Sequence, residues 1–176
     1  MDRRSAIKNF LLVSAGVALL PSCLQGSNQS SVKLDYLEIS GDQENMLADL
    51  TETILPKTTS PGAKDLSAHL FALVMVDDCF NNEGREKFQN GLKVFEAETK
   101  KRFSKTFTQL SAEEKTILLK DLEAKKEVPE EAVDFYNSVK GLTLQCFTTS
   151  QYFMTEVGKY EMAPGRYHGC VPVKAA

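Results

Sequence analysis

The chain has 176 residues, 21 lysines and arginines against 24 aspartates and glutamates, and a formal net charge of −3. That mildly acidic balance, with no basic stripe interleaved with aromatics, gives no electrostatic reason to bind nucleic acid. The length suits one domain with a sizeable core.

The N-terminal stretch DRRSAIKNFLLVSAGVALLPSC, residues 2–23, has a basic start, a short apolar centre from Phe10 to Leu20 and a small residue before the break. That layout describes a signal peptide, and the apolar run falls far short of the ~20 residues that span a bilayer. Arg3-Arg4, followed by Ile7 and Lys8, resembles the twin-arginine export signal, although Asp2 and Ala6 depart from its usual Ser and Phe. Leu20-Pro21-Ser22-Cys23 resembles a bacterial lipobox, in which the cysteine is lipidated and becomes the first residue. The expected product is a periplasmic lipoprotein, anchored to a membrane of the bacterial cell envelope through Cys23. Removing residues 1–22 takes away Arg3, Arg4, Lys8 and Asp2 and leaves a charge of −5. Leu24 to about Lys33 is polar and Ser/Gly/Asn-rich and reads as a flexible tether. The organisation expected is a signal segment (1–22), a lipidated tether (23–39) and a helical domain (40–176).

Beyond the tether the pattern is helical, and the fold class expected is all-α, a single domain of five to six helices. Met46, Leu47, Leu50 and Ile54 fall at helical spacing within Asp42 to Leu55, and Pro56 ends that run. KTTSPGAK, residues 57–64, is a turn-rich loop around Pro61-Gly62. A second helix, starting at Asp65 or Ser67, is apolar on nearly every face from Leu70 to Val76 and is expected to be the central one. After Asn81-Asn82-Glu83-Gly84 a third helix presents Phe88, Leu92, Phe95 and Phe103 on one side. Ser111 to Glu114 is a capping-box pattern opening a short helix through Leu118 and Leu122. Pro129-Glu130-Glu131 starts another, with acids at the positive helix end, running through Val133, Tyr136 and Val139 to about Val157 with room to bend at Gly141. Val32 to Ile39 is the one candidate for a short extended piece.

The last segment, GKYEMAPGRYHGCVPV (158–173), is too rich in glycine and proline for a helix and too aromatic for a loose tail. It is expected to lie against the helices as an ordered loop. With Cys23 lipidated, Cys79, Cys146 and Cys170 remain, and an exported protein is in a disulfide-permissive compartment. Cys79–Cys170 is the favoured pair, which would pin the tail to the core. Cys146–Cys170 is the second, and three free thiols the remaining alternative.

The search for chemistry is mostly negative. His69 sits on the apolar second helix and reads as a core or rim histidine. His168, two residues from Cys170, invites a Cys–His dyad or a metal site, but no CxxC, HxxxH or CxxCH accompanies it. No GxGxxG, GxSxG or GxxxxGK[ST] is present. Asp77 and Asp78 are adjacent on a helix and point about 100° apart, so one is expected to be solvated and the other a local hydrogen-bond acceptor. No catalytic residue and no metal ligand is nominated.

TETILPKTTSPGAKD (51–65), DDCF (77–80), the helix leading to NGL (90–92), LSAEEKTILLKDL (110–122) and YFMTEVG…PGRYHGCVP (152–172) together resemble the gluconate 2-dehydrogenase subunit 3 family. Each segment is short, but their order and spacing cover residues 40 to 172. The resemblance implies an exported accessory (gamma) subunit beside a large FAD-dependent dehydrogenase of the glucose–methanol–choline type, acting on a sugar or alcohol. The large subunit would hold the FAD, with no cofactor in this chain. The small subunit would aid export, maturation or stability, and in some complexes a cytochrome subunit takes the electrons onward. This chain would then be a non-catalytic subunit of an oxidoreductase complex rather than an enzyme by itself. Its lipobox departs from the family pattern and suggests a membrane anchor of its own.

Aromatics and methionine anchor protein interfaces. Tyr152, Phe153, Tyr160, Met162, Tyr167 and the Pro61-Gly62 loop are therefore the candidate partner-binding residues, with burial in the chain's own core as the bland alternative for each. A stand-alone helical envelope lipoprotein with a ligand-binding or scaffolding role is the second reading.

Overall fold

The computed structural model describes residues 30–163 together with Gly165 and Cys170. Arg3, Arg4, Cys23, Tyr167 and His168 lie outside the described residues. Among those described, five α-helices account for the body and no sheet is formed. The all-α expectation holds.

Helix α1, Gly41–Ile54, begins at a capping box: Ser40 Oγ accepts from the Gln43 amide at 3.2 Å, and Gln43 Oε1 accepts from the Ser40 amide at 3.1 Å. It buries Met46, Leu47, Leu50 and Thr51. Helix α2, Ala68–Cys79, starts after a left-handed Ser67. Helix α3, Asn82–Phe103, is capped by Asn81, whose side chain accepts from the Gly84 amide at 2.8 Å. The NNEG stretch is therefore the start of the helix rather than a break before it. A 3₁₀ turn, Phe107–Gln109, tucks Phe107 under Phe95, and α4, Ala112–Glu123, opens on the expected Ser111–Glu114 box. Helix α5, Glu130–Thr148, starts behind Pro129 with two acids in its first turn.

The central helix is α5, not α2. Its buried residues, Ala132, Val133, Phe135, Tyr136, Val139, Leu142, Thr143 and Cys146, form the widest apolar face in the chain, and α2 and α3 both pack along it. Helix α2 buries Ala68, Ala72, Leu73 and Val76 but leaves Val74 37% exposed, so an all-apolar sequence did not make it the hub. Gly91 sets the α3–α5 crossing. A Cβ there would come 2.7 Å from both the Glu131 carbonyl oxygen and Phe135 Cβ, so only glycine allows the approach. Beside it, Phe88 and Phe95 stack obliquely on Phe135 at centroid separations of 5.1 and 5.5 Å.

Arg102, in the last turn of α3, ties three segments together. Its Nε meets Glu98 at 2.5 Å, Nη1 meets Asp121 of α4 at 3.1 Å, and Nη2 donates to the carbonyls of Lys126 and Glu127. Glu98 is 7% exposed, so Arg102 neutralises a buried acid.

The course of α5 and of residues 30–39 differs from expectation. Helix α5 passes through Gly141 unbroken, because that glycine faces open space, and it ends at Thr148 rather than near Val157. The hydroxyls of Thr148, Thr149 and Ser150 all turn back onto carbonyls of the preceding turn, competing with further helix. Ser150 then accepts from the Phe153 amide at 3.2 Å and starts a separate wide turn, Phe153–Val157, with π-type hydrogen bonding. Residues 30–39 are packed on the body as an irregular strap, with Leu37 and Ile39 buried in the core.

Candidate functional site

The loop between α1 and α2 is built on carboxylates. Glu52 accepts from the Lys57 amide at 3.1 Å with one oxygen and from the Lys64 amide at 2.8 Å with the other. Asp65 accepts from the Gly62 amide at 3.1 Å and pairs with Lys57 Nζ. The hydrogen bond from Lys57 and that from Gly62 hold the Asp65 carboxyl below the usual carboxylate range. Gly62 is buried. A Cβ on it would sit 2.7 Å from the Lys57 nitrogen and 2.8 and 2.9 Å from the Glu52 oxygens. Below the loop, Asp49 receives Lys64 at 2.7 Å and Lys115 of α4 at 3.0 Å. Burial pushes the Asp49 carboxyl up, and the two lysines outweigh it. The TETILPKTTSPGAKD segment is thus a rigid loop, and Gly62 contributes the shape it permits rather than a surface of its own.

That loop abuts the C-terminal end of α5. Cys146 packs in a small cluster with Ala63 and Ala68, its Sγ 3.8 Å from the Leu66 carbonyl oxygen. The next residue, Phe147, carries the aromatic turn: Phe153 lies at 5.5 Å and Tyr152 at 6.4 Å between ring centroids. Tyr152 and Phe153 are half-buried, while Tyr160 is 57% and Met162 86% exposed. Leu144 and Val157 are exposed at the same end. Pro61 is half-buried on the loop. Six of the seven nominated partner-binding residues (Pro61, Gly62, Tyr152, Phe153, Tyr160, Met162) thus belong to the loop beside α5's last turns or to the segment that follows them.

The strap is clamped from the other end of α2. Asp77, 3% exposed, accepts from three successive backbone amides, Asp35, Tyr36 and Leu37, at 2.8 to 2.9 Å. Arg85 lies 4.2 Å over the Tyr36 ring and donates to the Asp77 carbonyl at 2.6 Å. Burial pushes the Asp77 carboxyl up; the three amides and Arg85 outweigh it and hold it below the ordinary range. Glu44 secures the strap's start through the Ser31 amide and hydroxyl at 2.5 and 2.6 Å. Asp78 is exposed, as expected of one member of the pair.

Cys79, Cys146 and Cys170 are free thiols, so neither expected bridge is formed in this structure. Cys79 and Cys170 are exposed; Cys146 is buried, and burial pushes its thiol up. His69 is half-buried with its Nδ1 unpartnered, and burial lowers its pKa against the pull of Glu44. Among the described residues no group of three His, Cys, Asp or Glu is placed to hold a metal ion, and no helix is long and apolar enough to cross a membrane. A groove of about 740 Å³ lies between α1, α3 and the 3₁₀ turn, and Asp42, Met46, Glu96, Lys100 and Phe107 line it.

Residues 41–165, from the first residue of α1 to beyond the aromatic turn, match gluconate 2-dehydrogenase subunit 3. The chain belongs to that family. Membership makes it a subunit of a multi-subunit dehydrogenase and implies partner subunits. No curated protein and no solved structure is significantly similar to it. The family segments mostly serve the fold. Glu52, Gly62 and Asp65 shape the loop, Asp77 clamps the strap, Gly91 sets the helix crossing and Ser111 caps α4. The exposed apolar residues of 152–162 have no such structural duty.

The clamp by Asp77 and the junction at Arg102 were not read from the sequence. A pair of acids at the end of an apolar run, DD after ALVMV, was a usable signal for the first. Nothing local marks the second.

Proposed function

We propose that this chain is the small accessory subunit of an exported, membrane-associated FAD-dependent sugar or alcohol dehydrogenase, docking to a large glucose–methanol–choline-type subunit that holds the flavin. The observation that carries the reading is the apolar end of α5. Tyr160, Met162, Val157 and Leu144 are exposed beside a rigid loop, in a chain whose family implies partner subunits. An aromatic and Met-rich patch beside a fixed backbone is what a stable protein interface requires.

The division of labour follows from the chemistry present. The large subunit supplies flavin and substrate site, and this chain supplies a binding surface and, through Arg3, Arg4 and Cys23, an export address and lipid anchor in the periplasm. A flavoprotein that folds around its cofactor before export needs a route for folded cargo, and a bound subunit with a twin-arginine-like leader offers one. A cytochrome subunit is a natural third member.

Co-expression with the candidate large subunit, affinity capture and a dye-reduction assay test this. The expected result is a complex that co-purifies, with large subunit lost from the periplasm when this chain is deleted. Tyr160→Ala with Met162→Ala should weaken capture at least tenfold, each buried side chain being worth about 1–2 kcal/mol at an interface. A large subunit that is exported, stable and fully active without this chain would overturn the proposal and leave a stand-alone envelope lipoprotein.

A further inference from the structure

The corner where α3 and α4 end holds charge that the fold does not use. Residues 98–105 and 120–127 carry seven basic and four acidic side chains, in a chain that totals 21 basic and 24 acidic. Arg102 draws the two segments together through Asp121 and the carbonyls of Lys126 and Glu127. Four of the nearby acids are already engaged: Glu98 and Asp121 by Arg102, Glu114 by Lys105, and Glu123 by Lys140. Lys120, Lys125 and Lys126 are exposed and, among the described residues, have no ion-pair partner; Lys101, 78% exposed, reaches Glu98 only at 3.5 Å, and Lys100 turns away to the groove beside Asp42 and Glu96. Glu127 is the one exposed acid there without a pair.

The two turns at this corner are also conformationally costly. Ser104, Lys125 and Glu127 are non-glycine residues at φ of 55°, 51° and 53°. Left-handed backbone at such residues is disfavoured and persists where surrounding contacts impose it, here the Arg102 bonds to the adjoining carbonyls. The lysines on these turns are therefore held at the corner instead of trailing from loose loops.

We propose that this lysine corner is a docking face for the anionic phospholipid headgroups of a bilayer. Its composition selects that occupant over a protein. Protein interfaces are enriched in aromatics, Met and Arg and depleted in Lys, and this corner exposes lysine with no aromatic or Met, Ile117 one turn before Lys120 being the nearest large exposed apolar side chain. Flexible primary ammonium groups act as point charges that suit scattered phosphates, whereas bidentate recognition calls for arginine, and the one arginine here is occupied internally. The corner lies at the N-terminal end of α5, 19 residues and so about 28 Å from the apolar end, which leaves both surfaces free to be engaged together. The proposal stands without the partner reading and without lipidation of Cys23.

The test is co-sedimentation of the full chain carrying Cys23→Ser with vesicles of neutral phosphatidylcholine, and of the same lipid with about one-third phosphatidylglycerol. A leader with a basic start and an apolar centre binds both kinds and itself favours the anionic one, so the readout is the part of the anionic, salt-sensitive preference that the corner variant loses relative to the control. Lys120→Glu, Lys125→Glu and Lys126→Glu together should reduce that preference about tenfold or more. A control with the same change in net charge, Lys33→Glu, Lys87→Glu and Lys159→Glu, should retain most of it. Equal loss in both triple variants, or no anionic preference in the parent chain, overturns the proposal. So does unchanged vesicle binding of the corner variant alongside lost capture of a large subunit, which would assign the corner to a protein.

Discussion

Asp77 holds three consecutive amides with a single carboxylate, and asparagine in its place can satisfy them only with one oxygen and an NH₂ that repels a donor. Asp77→Asn should therefore lower stability by about 1–3 kcal/mol in urea denaturation and expose the bond after Lys33 to trypsin. A strap that resists trypsin equally in the variant would show that Leu37 and Ile39 hold it unaided. Gly91→Ala belongs to the same scale. The added methyl group meets a carbonyl oxygen and Phe135 Cβ at 2.7 Å, so α3 and α5 must move apart at a cost of about 1–3 kcal/mol. Thermal denaturation would register it as a drop of several degrees, and an unchanged melting temperature would mean that the crossing tolerates a Cβ.

Among the elements, the loop from Leu55 to Ser67 responds as a unit because Glu52 and Asp65 tie its two ends. Gly62→Ala should release it from Glu52, raise amide exchange at Lys57 and Lys64, and weaken capture of the large subunit while leaving α4 unaffected. Exchange confined to the wild-type level at both amides would count against that coupling. The helices themselves were legible because their signals are local. Phe88, Leu92 and Phe95 repeat at helical spacing, and Ser111 with Glu114 announces a cap within four residues. Tyr152, Phe153 and Tyr160 stand out in the sequence as residue types, but which of them stay exposed depends on the fold. The clamp was not, since Asp77 reaches amides some forty residues upstream. Nor was the hub: apolarity marked α2, but centrality depends on how many neighbours a helix can receive, and the amphipathic α5 receives more. The end of α5 was misplaced because the hydroxyls of Thr148, Thr149 and Ser150 stop it without a proline or glycine to mark the place.

For the whole molecule, two groups of titrating side chains set the pH range of stability. His69 has a lowered pKa in the folded chain, so its unfolded form takes up a proton first, and stability declines as pH falls below about 6.5. His69→Gln should flatten the profile between pH 7 and 5. The depressed carboxyls of Asp49, Asp77 and Glu98 contribute stability that is present above their unfolded values and lost as pH falls through about 4 and lower. Denaturant midpoints across pH 3 to 8 should show both declines, and a variant profile identical to the parent's above pH 5 would remove His69 from the account.

Because the strap is gripped by the last turn of α2, a half-formed body has nowhere to put Leu37 and Ile39. Until that turn exists, two greasy side chains sit in water. The strap is in effect a latch that closes last: residues 35–37 find their seat only once the helices behind them have assembled.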